Sequence, residues 1–340
     1  MVNVAITGGS GFIAQHLIKK FQENSSGFVD SILTIDKKPK SEKYLDYPEI
    51  IPVRHLQLDV VETEALEKAL SGIDVVFHFA RKRLEFLFDA ENEAEFSELY
   101  VRDNITATES LLSAMISSNV QYLVFLGDAY ANLEIEDNFG LSEDNYPGIP
   151  KTFITGEAGE TRIRSELIAR SFVGKKLKNG KDLRATFPRP VFVYGEGDRK
   201  FPLALKAVAK RNNGSVPVFE GSSRGMFQYF FNLLASSMDI SFGPSSNYYF
   251  SLISSILTEF KEKFFGSNPN LSGGVFSTTS LRFLFGFAYG FSNRKQQLTV
   301  DYCTEVSSSE ARNRTSAWIK QEFGSRNNLK IKKINVLKMG

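Results

Sequence analysis

Cysteine is nearly absent from this chain. Cys303 is the only one in 340 residues, so no internal disulfide can form and a reducing compartment is expected. Histidine is almost as scarce: three scattered imidazoles and one thiol give no metal-ligand spacing, and no metal site is expected. Neither sign of charge is in excess. With 41 basic and 39 acidic side chains the net charge is +2, too weak a field to point to nucleic acid. Long apolar runs are missing too. The stretch Leu281-Arg282-Phe283-Leu284-Phe285-Gly286-Phe287-Ala288-Tyr289 stops well short of the ~20 residues a membrane-spanning helix needs. The first residues lead into a strand without the pattern of a secretory leader, so the expectation is a cytoplasmic protein. Peripheral membrane association stays open, because residues 326–338 carry Lys330, Lys332 and Lys333 and no acidic side chain; a solvated tail fits the same composition.

What is present is concentrated at the start. Val2, Val4 and Ile6 form a strand pattern that runs into Thr7-Gly8-Gly9-Ser10-Gly11-Phe12-Ile13-Ala14. Gly8 and Gly9 let the backbone turn tightly, and Gly11 lets a ligand approach the main chain. The helix that follows aims free N–H groups, including those of Ser10, Phe12 and Ile13, at a pyrophosphate. Ala14 stands where a third glycine would serve close helix–sheet packing, the smallest change that position tolerates. A second strand ends at Ile35-Asp36, where a carboxylate can bind both adenosine-ribose hydroxyls and repel a 2′-phosphate. Asp36 therefore argues for NAD over NADP, although Lys37 and Lys38 beside it pull the other way. Asp59, closing the third strand, is placed to contact adenine; a plain strand-end turn residue is the competing reading for both carboxylates.

At this length one large α/β domain with a smaller lobe is expected. Strand-like runs at 2–7, 31–35, 53–58, 73–79 and 121–126 alternate with amphipathic stretches near 12–23, 62–70 and 95–118. A helical run at 158–173 then leads to a strand at 183–187. That rhythm implies right-handed crossovers and a doubly wound parallel Rossmann sheet. The expected division is a dinucleotide-binding domain at 1–195, a substrate-binding lobe intertwined with it at 196–325, and a basic tail at 326–340. Past residue 195 the expected alternation fades and Phe and Ser become dense, read as aromatic core or as an apolar substrate lobe. Residues 85–98 read as a solvated acidic helix or loop.

These residues resemble an extended short-chain dehydrogenase/reductase of the 3β-hydroxysteroid dehydrogenase/isomerase group. Besides the glycine turn, the likeness rests on Gly72-Ile73-Asp74-Val75-Val76-Phe77-His78-Phe79-Ala80, Asn104-Ile105-Thr106-Ala107-Thr108 and Arg189-Pro190-Val191-Phe192-Val193-Tyr194-Gly195-Glu196-Gly197-Asp198. Ser223-Arg224-Gly225-Met226-Phe227-Gln228-Tyr229 resembles a stretch of the steroid branch. The resemblance implies an oxidoreductase of steroid biosynthesis that passes a hydride between NAD(H) and a secondary alcohol or ketone of a small apolar, sterol-like substrate. It also leaves open a homodimer and a place at the cytosolic face of the endoplasmic reticulum. In the family a Tyr moves the hydroxyl proton, a Lys four residues on lowers its pKa and holds the nicotinamide ribose, and a Ser orients the substrate oxygen.

That proton relay is missing. No Tyr in this chain is followed four residues later by Lys. The best register places Ala158 where the family has Tyr and Arg162 where it has Lys, with Glu166 at its acidic position. Arg162 keeps a cation that can reach ribose hydroxyls, with different geometry. The family's Thr-Ser-Ser becomes Leu126-Gly127-Asp128, so the Ser is lost as well. Asp128 is the candidate replacement acid, against a solvated strand-end carboxylate, with Tyr130 and Tyr146 as loop alternatives. Two functions follow: an NAD-dependent dehydrogenase with an unusual proton donor, or a catalytically inactive NAD(H)-binding relative acting as sensor or scaffold. Nucleotide-sugar epimerase or dehydratase chemistry ranks last, because it needs the same Tyr.

Overall fold

Val4, Ala5 and Ile6 are each at most 2% exposed, so the first strand is covered on both faces. Alternation decides which face each residue serves. Val4 and Ile6 join Ala14, Ile18, Val29 and Ile32 on one side of the sheet. Ala5 joins Leu33, Ile35, Leu66, Val76, Leu111 and Phe125 on the other. A strand buried this way needs helices on both faces, which only parallel crossovers supply.

The computed structural model describes residues 1–24, 27–40, 45–85, 93–142, 148–220, 226–265 and 276–324. Two units form: Met1–Glu85, Glu91–Ile135 and Pro147–Val193 in the first, and Phe86–Ala90, Glu136–Tyr146 and Tyr194–Gly340 in the second. The first holds β1 (Val2–Thr7), α1 (Phe12–Asn24), β2 (Val29–Asp36), β3 (Val53–Gln57), α2 (Thr63–Ala69) and β4 (Val75–His78). It continues with α3 (Glu93–Tyr100), a π-helical turn (Val101–Thr106), α4 (Ala107–Ser117), β5 (Tyr122–Phe125), α5 (Gly156–Phe172) and β7 (Arg184–Thr186). Its strands stand in the order β3-β2-β1-β4-β5-β7, all parallel. The chain builds outward from β1 in both directions, so the crevice at the C-terminal ends of β1 and β4 is the topological switch point where such sheets bind ligands.

In the second unit, β6 (Asn138–Leu141) pairs with β10 (Tyr289–Phe291) across 148 residues of sequence, counted from Leu141 to Tyr289. The fading alternation expected past residue 195 is corrected here. α6 (Lys200–Arg211), β8 (Ser215–Glu220), α7 (Met226–Ser237), β9 (Ser241–Asn247) and α8 (Tyr248–Phe265) follow one another in strand–helix order, and β8 pairs parallel with β9. The sequence hid this because Pro217 and Pro244 interrupt both strand patterns; the register shifts between Val216 and Val218, where Pro217 has no N–H to give. After these come α9 (Thr278–Leu281), a π-helical turn (Arg282–Gly286), α10 (Arg294–Val300) and α11 (Ser308–Phe323).

The Phe-rich stretch divides. Phe219, Phe231, Phe276 and Phe285 pack ring against ring at 4.8–6.2 Å and form this unit's core. Tyr249, Phe250, Ile253, Leu257 and Phe260 on α8 are exposed instead. Most of the acidic stretch, the sequence Ser223–Gly225, Tyr146 and the basic tail lie outside the described residues. Among the described residues no helix is long and apolar enough to cross a membrane, and no group of His, Cys, Asp and Glu could hold a metal.

Candidate functional site

The turn between β1 and α1 is shaped by what a side chain would strike. Gly8 has φ +69°, and a Cβ there would lie 2.8 Å from the Ala80 nitrogen. At Gly9 a Cβ would fall 2.4 Å from Thr34 Cβ, inside the neighbouring strand. The main chain is then locked: the Gly9 amide donates to Ile35 O at 3.2 Å, and Gln15 Nε2 donates to Gly9 O at 3.0 Å. Gly11 N–H closes back on Gly8 O at 2.9 Å, and α1 begins at Phe12. Helix geometry leaves the amides of Phe12 and Ile13 without an intrahelical acceptor, and no acidic residue sits in that first turn. The result is a main-chain concavity with free donors and no acidic residue in the first turn of α1.

Asp36 ends β2 beside this turn. Its carboxylate accepts from the Ser10 amide at 3.0 Å and from the Lys38 amide at 3.0 Å, which fixes it at the lip of the concavity. Lys37 turns away to Asp103 at 2.8 Å, so its ammonium already has a carboxylate. Asp59 accepts from the Val61 amide and pairs with Arg102, which also holds Asp103. Asp36 and the glycine turn are thus brought together; Asp59 belongs to an ion network with the π-helical turn.

That turn carries a residue whose role the sequence motif did not disclose. Asn104 is fully buried; its Oδ1 accepts from the Lys82 amide at 3.0 Å and its Nδ2 donates to Thr161 Oγ1 at 2.9 Å. Its carbonyl accepts from Thr108 Oγ1 at 2.7 Å. One amide side chain therefore ties the loop after β4 to α5. The π-helical geometry at this point frees the backbone to allow it. Asn104 followed four residues later by Thr108 was the available signal.

On α5, Ala158, Arg162 and Glu166 share one buried face at helical spacing. Arg162 is 6% exposed, stacks 5.3 Å from the Phe125 ring and donates Nη2 to Leu126 O. Its Nε is buried with no partner. Burial lowers its pKa, opposed by Asp128 and Glu166. Glu166 is held by Arg189 at 2.8 Å and Arg170 at 2.7 Å. That pair explains Gly127. A Cβ there would meet Arg189 Cγ at 2.7 Å and Glu166 Oε2 at 2.8 Å, so the missing Ser has no room to return.

Asp128 follows directly. Its Oδ1 accepts from the Tyr130 amide at 3.0 Å and its Oδ2 lies 3.6 Å from Arg81 Nη1, both contacts that a carboxylate makes. Tyr130 is 4% exposed, and burial foremost pushes its hydroxyl up to about 12, so it keeps its proton at neutral pH. His78 is sandwiched between Thr7 Oγ1 at 2.7 Å and Thr108 Oγ1 at 3.4 Å. Burial, with the charge of Arg162, presses it down to about 3, and it stays a neutral structural imidazole. No motif singles out Arg81, which follows β4 and reaches Gly127 O and Asp128 at this edge.

A switch-point crevice with a glycine turn and an acidic β2 end defines the class of doubly wound folds that bind dinucleotides. More narrowly, the chain belongs to the 3-beta hydroxysteroid dehydrogenase/isomerase family, whose model matches residues 5–235. It is 25% identical over 217 residues to a Vaccinia virus 3 beta-hydroxysteroid dehydrogenase/Delta 5→4-isomerase, covering 63% of this chain and 58% of the relative. It is likewise 25% identical over 231 residues to a Candida albicans sterol-4-alpha-carboxylate 3-dehydrogenase (decarboxylating), covering 67% of this chain and 60% of that one. The chain thus spans less than two thirds of the length of these relatives. Among solved structures, UDP-glucose 4-epimerase from Thermotoga maritima superposes with a TM-score of 0.62 at 15% identity, covering 94% of this chain and 99% of the other. A dTDP-glucose 4,6-dehydratase from Streptomyces venezuelae with NAD bound gives 0.61 at 16% identity, covering 94% and 97%. Likeness at that identity speaks for the fold alone.

Proposed function

We propose that this chain binds NAD(H) at the turn after β1 and is an oxidoreductase exchanging a hydride with a sterol-like secondary alcohol or ketone. The observation that carries the reading is the main-chain concavity at Gly8–Ile13, where any side chain on Gly8 or Gly9 would collide with Ala80 or Thr34. The amides of Phe12 and Ile13 would hold the diphosphate, and Asp36 would take the adenosine-ribose hydroxyls. Because Lys37 is already paired with Asp103, the β2 end favours NAD over NADP. Arg162 Nε, buried without an acceptor, fits a ribose hydroxyl on the nicotinamide side. When bound, the nicotinamide supplies the hydride donor or acceptor. The names of the viral and fungal relatives support a steroid or sterol as substrate.

The proton has a poorer path. Ala158 offers none, and the role falls to Asp128 at the β5 end, because burial pushes the Tyr130 hydroxyl up to about 12. Loss of a general acid–base group slows a reaction by roughly 10²–10⁴-fold, so turnover is slow. Purified protein with NAD and a panel of hydroxysteroids should show slow growth of the reduced-nicotinamide absorbance, lost in Asp128→Asn. The crowding at Gly127 favours a second reading, a relative that binds NAD(H) without turnover. NADH titration by fluorescence that shows binding, with no turnover on any hydroxysteroid until Ala158→Tyr and Arg162→Lys are combined, would establish that reading and end the first.

A further inference from the structure

Helix α8 is built the wrong way round for a helix that faces only water. Its inward side is polar. Ser255 is buried and donates to Phe276 O at 3.4 Å, and Glu259 accepts from the Thr278 amide at 2.6 Å. The Tyr248 hydroxyl lies on the same side, 2.5 Å from where a Cβ on Gly286 would stand. The opposite side carries Tyr249, Phe250, Ile253, Ile256, Leu257 and Phe260, each between 41% and 73% exposed. A water-facing helix shows the reverse, apolar inward and charge outward. With about 150–250 Å² for each aromatic and somewhat less for each aliphatic side chain, the six leave on the order of 600 Å² uncovered. That is at the top of the ~300–600 Å² a monomer exposes in its largest patch, and most of the ~800 Å² each partner gives to a standard interface.

The order of these side chains says what covers them. Tyr249, Ile253, Ile256 and Phe260 recur at intervals of four, three and four residues, the alternation of a seam between two packed helices. The seam reads the same from either end: aromatic, isoleucine, isoleucine, aromatic. Two copies laid antiparallel about a two-fold axis set Ile253 of one against Ile256 of the other, with ring against ring at both ends. An isologous interface requires such self-complementarity, and a lipid surface does not. Charge points the same way. Residues Tyr248–Thr258 include no charged side chain, and the rest of α8 holds two acidic and two basic residues, so the helix has no net attraction for anionic headgroups. We infer that α8 is a self-docking surface through which two copies of this chain pair antiparallel, with Ile253 and Ile256 at the centre.

Sedimentation equilibrium of the full chain across the micromolar range tests it. The native chain should reach twice its 38.1 kDa. Ile253→Glu and Ile256→Lys should each weaken association at least tenfold, since each puts a charge against isoleucine at the centre of the seam, while thermal midpoints stay at the native value because both positions are exposed. Mixed together, the two variants should pair again, one chain's carboxylate meeting the other's ammonium. A native chain that stays monomeric at every concentration would overturn the inference, as would a dimer that Ile253→Glu leaves intact or a mixture no tighter than its separate variants. Flotation with phosphatidylcholine vesicles supplies the competing occupant: a chain that is monomeric in buffer, binds the vesicles and loses them in Ile253→Glu assigns the face to lipid, and the inference fails.

Discussion

At the scale of single residues, small side chains decide what the site can do. Gly9 lies against Thr34 so closely that Gly9→Ala must push β1 from β2. Overpacking of this kind costs about 1–3 kcal/mol, so the thermal midpoint should fall by several degrees and NADH binding should be lost together with it. Gly127→Ser, which puts a hydroxyl into the stretch where the family has Thr-Ser-Ser, should destabilise by a similar amount without raising turnover, because its Cβ enters the Arg189–Glu166 pair. Thermal melts and a steroid turnover assay on the same preparations check both. His78 gives a pH test. Its folded pKa is near 3 against an ordinary 6.5, so the unfolded chain binds the extra proton. Stability from this group is full above pH 6.5 and falls as the pH drops toward 3, by up to about 1.4 kcal/mol per pH unit. His78→Gln should flatten that acid-side loss in denaturant titrations at pH 7 and pH 5; an unchanged slope would remove His78 from the explanation.

At the scale of elements, α5 acts as one buried face, with Glu166 clamped by two arginines below Arg162. Breaking a buried pair by removing one partner costs about 3–5 kcal/mol. Glu166→Ala should therefore be among the most destabilising changes on this helix, well beyond Glu160→Ala on its exposed side, as urea midpoints would show. The glycine turn could be read from sequence because its meaning is local, a strand, a tight turn and a helix start within fourteen residues, and Asp36 because it ends the very next strand. The parallel, doubly wound character of the sheet followed from the same strand–helix rhythm. What could not be read depends on partners far along the chain. Gly127 looks like a lost serine until Arg189, 62 positions on by sequence number, is seen to occupy its space. Asp59, which the sequence offers as a contact for adenine, has in addition an ion pair with Arg102 that no local pattern announces. Asn104 shows in sequence only its spacing to Thr108; its work of joining the loop after β4 to a helix more than fifty residues later does not show there.

At the scale of the whole molecule, a glycine-turn concavity stands in a chain whose α5 carries Ala158 and Arg162 in place of a Tyr and Lys pair. The rhythm missed beyond residue 195 reflects Pro217 and Pro244 breaking the strand pattern of β8 and β9 while leaving a parallel pair. A ligand that binds only the folded chain stabilises it by about 2.7 kcal/mol at a hundredfold excess over its dissociation constant. NADH should raise the thermal midpoint accordingly, and NADPH should raise it less because the carboxylate of Asp36 repels the added phosphate.

The occupancy of the glycine turn is tested most directly by titrating the native chain with NADH in a calorimeter, beside Gly9→Ala. Saturable one-to-one heat with micromolar affinity, abolished in the variant, is the expected result. An absence of heat from the native chain with both NADH and NAD would contradict it, leaving a family scaffold that has lost its coenzyme.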